Sequence, residues 1–285
     1  MAITAAIVKE LRDKTGAGMM DCKKALVEVN GDMEKAVDWL RQKGISKAAS
    51  KTGRATSEGL VTYEVSEDGA NHAMASLMCE TDFVARGDKF KDMAAKVAKA
   101  VLDHNPVDAE SLDGIIGDEV KQLIGSLGEN MRLGKFARHT KQEPEEVVGA
   151  YVHANGKIGT MVFLKVDKAD AVNNPDIKAL AKNLAMQVAA NSPLAIDAAG
   201  LDPKIVEREK EVYRQKAIEE GKSANIVEKI AEGAIKKFQQ EVCLLDQPLL
   251  RDDKKSVAQI IKETEKSTGV KINVTGFERI QLASE

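Results

Sequence analysis

With 285 residues, 43% apolar and 31% charged, the chain has the make-up of an ordinary soluble protein, long enough for two or three compact units. A formal net charge of −3 and only 4% aromatic residues argue against a nucleic-acid partner, which calls for basic excess and stacking platforms. No stretch approaches the ~20 apolar residues that span a bilayer, and Lys9, Glu10, Arg12 and Asp13 interrupt the apolar run of a secretory leader, so a cytoplasmic chain without a membrane partner is expected.

Residues 1–44 predict three short helices. Thr4 is placed to cap the first, with Ile3 and Val8 as a hydrophobic staple. Ile7, Val8 and Leu11 form its buried stripe, and Thr15 to Gly18 make a tight connection. Cys22, Ala25, Leu26 and Val29 follow the i, i+3, i+4, i+7 rule for the second helix. Asn30-Gly31 stops it, Asp32 caps the third, Val37 and Leu40 turn that helix inward, and Gly44 ends it. The pattern is that of a small bundle of the ubiquitin-associated type. Residues 45–58 lose apolar content, gain Lys47, Lys51 and Arg54, and read as a linker.

From Gly59 the period changes to two. Val61, Tyr63 and Val65 alternate with polar neighbours, and a turn at Glu67-Asp68-Gly69 leads to a second strand through Met74, Leu77 and Cys79. Phe90, Met93, Ala94, Val97 and Val101 then give a helical face that ends near Pro106, within a first core subdomain over 59–140. The plan recurs over 141–202. Tyr151 and His153 precede an Asn155-Gly156 turn, Met161 and Leu164 continue the strand, and Ile177, Leu180, Ala181, Leu184 and Val188 repeat the helical face. A duplicated hairpin-plus-helix core of α+β class is expected, each sheet face needing a helix against it. The copies differ after the second strand, where the first has Thr81-Asp82-Phe83-Val84 and the other Lys168-Ala169-Asp170-Ala171. That contrast favours a special duty for the first loop.

Residues 203–241 begin with Pro at a first helical position and break at Gly221. Ile226, Ile230, Ala234 and Phe238 form one narrow apolar seam among many Lys, Arg and Glu, which predicts an antiparallel, coiled-coil-like hairpin inserted in the core. Residues 242–285 return to the core, with a helix started by Ser256 and a last strand through Ile272, Val274 and Phe277.

Patterns that would carry covalent chemistry are missing. There is no phosphate-cradling Gly-x4-Gly-Lys-Ser/Thr loop, no Gly-x-Gly-x-x-Gly after a strand and no Gly-x-Ser-x-Gly elbow. Cys22, Cys79 and Cys243 are far apart and odd in number, and His72, His104, His139 and His153 lie in no ligand spacing, so no metal and no cofactor are expected. Cys79 with His72 would be a thiol–imidazole pair only if seven residues on one strand could face each other, and a period of two puts them on opposite faces. Cys79 reads more simply as a small core residue. Asp82 has its plain alternative as a helix cap and Phe83 as a core residue. One of Met19 and Met20 is expected in the core and the other free as a contact, while Lys23 has the alternative of a merely solvated face.

Two long stretches carry a resemblance. Lys14-Thr15-Gly16-Ala17-Gly18-Met19-Met20-Asp21-Cys22-Lys23-Lys24-Ala25-Leu26 and Cys79-Glu80-Thr81-Asp82-Phe83-Val84-Ala85-Arg86 resemble bacterial elongation factor Ts, and the similarity runs on to Val274-Thr275-Gly276-Phe277. The resemblance implies a guanine-nucleotide exchange factor, without covalent chemistry, that releases GDP from the GTPase elongation factor Tu. It assigns disturbance of the partner's magnesium site to Thr81, Asp82, Phe83 and Val84, and partner contacts to Met19, Met20, Lys23 and His153. Gly128-Glu129-Asn130 also matches the family, with no role that the sequence supplies. His153 is followed by Ala154 where many members have glycine, and a family C-terminal helix that touches the GTPase is expected to be missing after Glu285. Self-pairing of the 203–241 hairpin into a homodimer stays open. Rival readings are a binding scaffold built on the three-helix bundle and a thiol enzyme built on Cys79.

Overall fold

The computed structural model describes residues 3–15, 17–49, 51–250 and 252–282, with the side chains of 45–47 and 49 outside the description. Gly16 and the Lys47 side chain, both used above, therefore lie outside the described residues. The fold is α+β and divides into two units. The first is Met1–Thr140 with Ala154–Ile158 and Ile280–Glu285; the second is Lys141–His153 with Gly159–Arg279.

The first unit opens with α1 (Ala5–Thr15), α2 (Met19–Glu28) and α3 (Met33–Ala49). Thr4 Oγ1 accepts from the Ile7 amide at 3.4 Å and Asp32 Oδ1 from the Lys35 amide at 3.1 Å, so both expected caps are made. Val8, Leu11, Cys22, Ala25, Leu26 and Ala36 share one core, with Ile3, Val37 and Leu40 packed on it. There follow strands β1 (Glu58–Val65) and β2 (Asn71–Cys79), a short helix α4 (Asp82–Arg86), helices α5 (Asp88–His104) and α6 (Ala109–Leu127), and strand β3 (Met131–Thr140). The sheet order is β1-β2-β3, antiparallel throughout. Phe90, Met93, Ala94, Val97 and Val101 of α5 are buried in one cluster with Leu77 and Cys79 of β2 and with Leu112, Ile116 and Val120 of α6.

One expectation is corrected here. Helix α3 does not end at Gly44 but continues through Ala49, into the stretch read as a linker. Gly44 serves packing instead of termination: a Cβ built on Gly125 of α6 would lie 2.8 Å from the Gly44 Cα. Two bare backbones meet where α3 crosses α6, and Arg41 adds an exposed ion pair to Asp118 at 3.3 Å. Gly125→Ala is expected to cost about 1–3 kcal/mol by overpacking this crossing, read as a lower urea midpoint; an unchanged midpoint would rule out the close approach. Helix α6 and strand β3 complete the first unit's fold beyond the expected hairpin and helix, and α6 is signalled by the Asp108–Ser111 capping box and by Leu112, Ile116, Val120, Leu123 and Ile124 on one helical face.

The second unit holds β4 (Glu146–Val152), β5 (Ile158–Val166), α7 (Pro175–Asn191), α8 (Pro203–Glu219), α9 (Ala224–Val242), a small β6–β7 ribbon (Pro248–Leu249, Asp252–Ser256), α10 (Val257–Thr268) and β8 (Ile272–Gln281). Its main sheet is ordered β4-β5-β8. The two hairpins have the same register: Thr62 faces Ala75 and Gly149 faces Val162, each pair 87 residues apart from its counterpart. The helices follow, with Phe90, Ala94 and Val97 matched by Ile177, Ala181 and Leu184, all buried. Even the contact between strand and helix recurs at matching places. The Thr62 hydroxyl donates to the Ala94 carbonyl at 2.7 Å, while a Cβ on Gly149 would sit 2.1 Å from the Ala181 carbonyl oxygen. The correspondence extends beyond the expected hairpin and helix. α6 and α10 both open on capping boxes and end on left-handed glycines, Gly128 and Gly269, each leading to the third strand of its sheet. The segment with α8, α9, β6 and β7 is inserted between α7 and α10, which hid the second half of the repeat.

Helices α8 and α9 pack on each other, and Arg214 bridges to Glu228 at 2.7 Å and to Glu207 and Glu211 at 3.1 Å. The seam is wider than the one expected. Ile230, Ala234 and Phe238 of the expected row are half-buried and Ile226 is exposed, while Val227 and Ala231 beside them are fully buried, because a packed pair of helices draws on two adjacent ridges rather than one i, i+4 row.

Candidate functional site

The loop after β2 carries the candidate residues Thr81, Asp82, Phe83 and Val84. Thr81, in extended conformation (φ −128, ψ 155), caps α4, and its Oγ1 accepts from the Val84 amide at 3.4 Å. The cap is thus Thr81, not Asp82. Asp82 takes the first position of the helix and forms an i, i+4 ion pair with Arg86 at 2.9 Å. Phe83 is 84% exposed, so the alternative of a core residue is excluded. Ala85 is buried and Val84 packs on the first unit's core, which leaves Asp82 and Phe83 as the outward pair of one short turn. Stranding a phenyl ring in water forgoes roughly 2 kcal/mol of burial, which a protein tolerates where a partner supplies it.

The turn is held from behind. Glu129 follows the left-handed Gly128 at the end of α6, and its carboxylate accepts from the Thr81 amide at 3.0 Å and from the Thr81 hydroxyl at 2.6 Å. Glu80 reaches the other way and accepts from the Asn130 amide at 2.5 Å. The buried Asn130 side chain donates to the Arg54 carbonyl at 2.7 Å, and the Lys51 ammonium donates to the Gly128 carbonyl. Lys51 and Arg54, within the stretch read as a linker, are thereby tied to the segment that braces the loop. Charge-assisted bonds of this kind are about twice as strong as neutral ones. Glu129 is the functional candidate that the chain does not reveal by itself: it was visible only as part of a resemblance.

Cys79 lies beneath the turn, wholly buried, its thiol donating to the Thr81 carbonyl at 3.2 Å. Burial, reinforced by the negative charge of Glu129, pushes the thiol up to about 12. A thiolate fraction of roughly one in ten thousand at pH 8 makes a poor nucleophile. His72 is at the opposite end of β2, roughly 23 Å away at ~3.3 Å per residue, and hydrogen-bonds Tyr63. Iodoacetamide at pH 8 is expected to leave Cys79 of the native chain unmodified while labelling it in urea; native labelling at the rate of a free thiol would revive nucleophilic chemistry. Among the described residues no His/Cys/Asp/Glu group is arranged to hold a metal, and no helix is long and apolar enough to cross a membrane.

Of the other named positions, Met19 and Met20 open α2 and are 44% and 75% exposed. Neither is in the core, contrary to expectation. Cys22, Ala25 and Leu26 already fill α2's side of the bundle core, which begins one turn later. Lys23 is exposed one turn beyond Met19, so the three share a face of soft apolar and cationic character. His153 belongs to the second unit, is exposed, and its Nδ1 is 2.9 Å from the Tyr151 hydroxyl.

Comparison with known proteins gives a consistent result. A family model described as Elongation factor TS matches residues 80–284, beginning at the loop itself. The chain is similar to an Elongation factor Ts of Desulfovibrio desulfuricans, 68% identical over 284 residues, covering 100% of this chain and 99% of the relative. It is likewise similar to the Elongation factor Ts of Nitratidesulfovibrio vulgaris, 53% identical over 285 residues with 100% and 97% covered, and of Lawsonia intracellularis, 47% identical over 294 residues with both chains covered in full.

Proposed function

We propose, on the premise that this chain belongs to the elongation factor Ts family, that it acts in translation elongation as the guanine-nucleotide exchange factor of elongation factor Tu. The observation that carries the reading is the exposed Phe83 beside Asp82 on a turn braced by Glu129. Thr81, Asp82, Phe83 and Val84 enter the GTPase beside its magnesium and diphosphate. Magnesium keeps few protein ligands and demands near-ideal octahedral geometry, so a small displacement of its surroundings loosens GDP. Phe83 acts as the wedge. Asp82 brings negative charge towards the diphosphate and competes for the groups that order the metal's waters. No bond is made or broken.

The energy comes from tighter binding to the empty GTPase than to the GDP-bound one, and coupling is reciprocal. A thousandfold weakening of GDP requires about 4 kcal/mol of differential contact. One turn does not supply this alone. We assign further contacts to the α2 face of Met19, Met20 and Lys23, within an N-terminal three-helix bundle of ubiquitin-associated type, and to His153. The turn itself belongs to the core subdomain over 59–140. The reading places the protein in the cytoplasm, with elongation factor Tu as partner and no cofactor of its own. The test is release of labelled GDP from elongation factor Tu with and without the full chain, at two magnesium concentrations. Acceleration that weakens as magnesium rises is expected; no acceleration at either concentration would overturn the reading.

A further inference from the structure

We propose that Glu129 is a positioning residue for nucleotide release, fixing through Thr81 the direction in which Asp82 and Phe83 project. The inference rests on the exchange reading above and adds a residue to it. Its basis is the chain's own second copy, which has the same fold without the same loop.

One brace is common to both copies. The first residue after the second strand accepts from the amide two residues beyond the left-handed glycine: Glu80 from Asn130 at 2.5 Å, and Asp167 from Lys271 at 2.9 Å. Because both copies have it, this contact belongs to the architecture. A lysine ammonium also donates to each glycine's carbonyl, but from different places in the chain, Lys51 before β1 and Lys168 after β5. The residue between differs. In the first copy it is Glu129, with both carboxylate oxygens committed to Thr81. In the second it is Val270, buried and with no acceptor on its side chain, and the residue in the place of Thr81 is Lys168. The segment that follows also differs: α-helical from Asp82 to Arg86, but a 3-10 helix from Ala169 to Asn173.

The additional clamp thus occurs in the copy that carries the acid–phenyl pair. Thr81 is gripped at its amide and hydroxyl by Glu129 and at its carbonyl by the Cys79 thiol, while the hydroxyl caps the turn. Asp82 is the next residue along. A turn fixed in this way meets its partner already ordered, so contact energy goes into displacing the metal rather than into ordering the loop. Removing the carboxylate leaves the shared Glu80–Asn130 brace in place and frees the tip to swing.

The test compares the full chain with Glu129→Ala, Glu129→Gln and, as control, Asp167→Ala, an exposed brace of the second copy. Release of labelled GDP from elongation factor Tu is followed to saturation in exchange factor, and amide hydrogen exchange over residues 81–86 is measured on the free proteins. Glu129→Ala is expected to lower the maximal release rate at least tenfold, to shift the half-saturating concentration less than threefold, and to speed amide exchange at 81–86 at least tenfold. Glu129→Gln, which keeps the shape and one acceptor, should recover part of both; Asp167→Ala should change neither. A wild-type maximal rate in Glu129→Ala, a loss confined to half-saturation, or no recovery in Glu129→Gln would overturn the proposal. If the unaltered chain releases no GDP, the exchange reading has failed, and amide exchange still decides whether Glu129 orders the turn.

Discussion

Replacing Asp82 and Phe83 together by alanine is expected to slow GDP release from elongation factor Tu about a hundredfold, with the factor still folded and still able to bind. A hundredfold corresponds to ~2.7 kcal/mol of lost differential contact, within reach of an aromatic anchor and a charge acting together. The stability side is small for definite reasons. Phe83 is exposed and absent from the core cluster, so its removal leaves no cavity. Asp82 loses one exposed ion pair with Arg86, an interaction of a few tenths of a kcal/mol. The Thr81 cap and the Glu129 clamp remain. Stopped-flow release at saturating factor, with a melting curve of the same preparation, checks both halves. A double mutant that releases GDP at the wild-type rate would end the loop mechanism.

The second large effect concerns stability. Gly149→Ala is expected to destabilise the second unit by about 3 kcal/mol or more, at the upper end of overpacking costs. The new methyl would sit 2.1 Å from the Ala181 carbonyl oxygen and 2.2 Å from its carbon. These are main-chain atoms of α7 and cannot rotate away, so the helix must lift from β4. The first copy shows the other solution, with α5 standing far enough off for Thr62 to fit and donate to Ala94. Calorimetry is the measurement, since two units need not melt together. A drop of roughly 6–12 °C in one transition is expected, at 2–4 °C per kcal/mol; an unshifted thermogram would show that α7 has room to spare.

What the chain discloses by itself follows the range of the interactions. The apolar faces of α5 and α7, the caps at Thr4, Asp32 and Ser256, and the start of the repeat depend on neighbours within one or two turns, and these are legible. Gly44 is not. A glycine inside a helical run reads as a stop unless one knows that Gly125 faces it. Phe83 is ambiguous in the same way, because a phenylalanine beside a core strand is usually buried; its exposure depends on Val84 and Ala85 taking the inward places. Glu129 is the clearest case, its partner being 48 residues away. Its carboxylate looks like any surface charge until the end of α6 is brought against the end of β2. The second half of the repeat was hidden differently, by an insertion that breaks the constant spacing.

The glycine crossing and the Glu129 clamp lie close together in the chain, Gly125 in the last turn of α6 and Glu129 two residues past its end. On one side of that turn rests α3, which carries the helices bearing Met19, Met20 and Lys23; just past its end hangs the tip with Asp82 and Phe83. Under the exchange reading proposed above, the α2 face and the loop tip would meet a partner as two jaws set on one rod, like callipers with the screw locked, and the yielding would fall to the molecule between them.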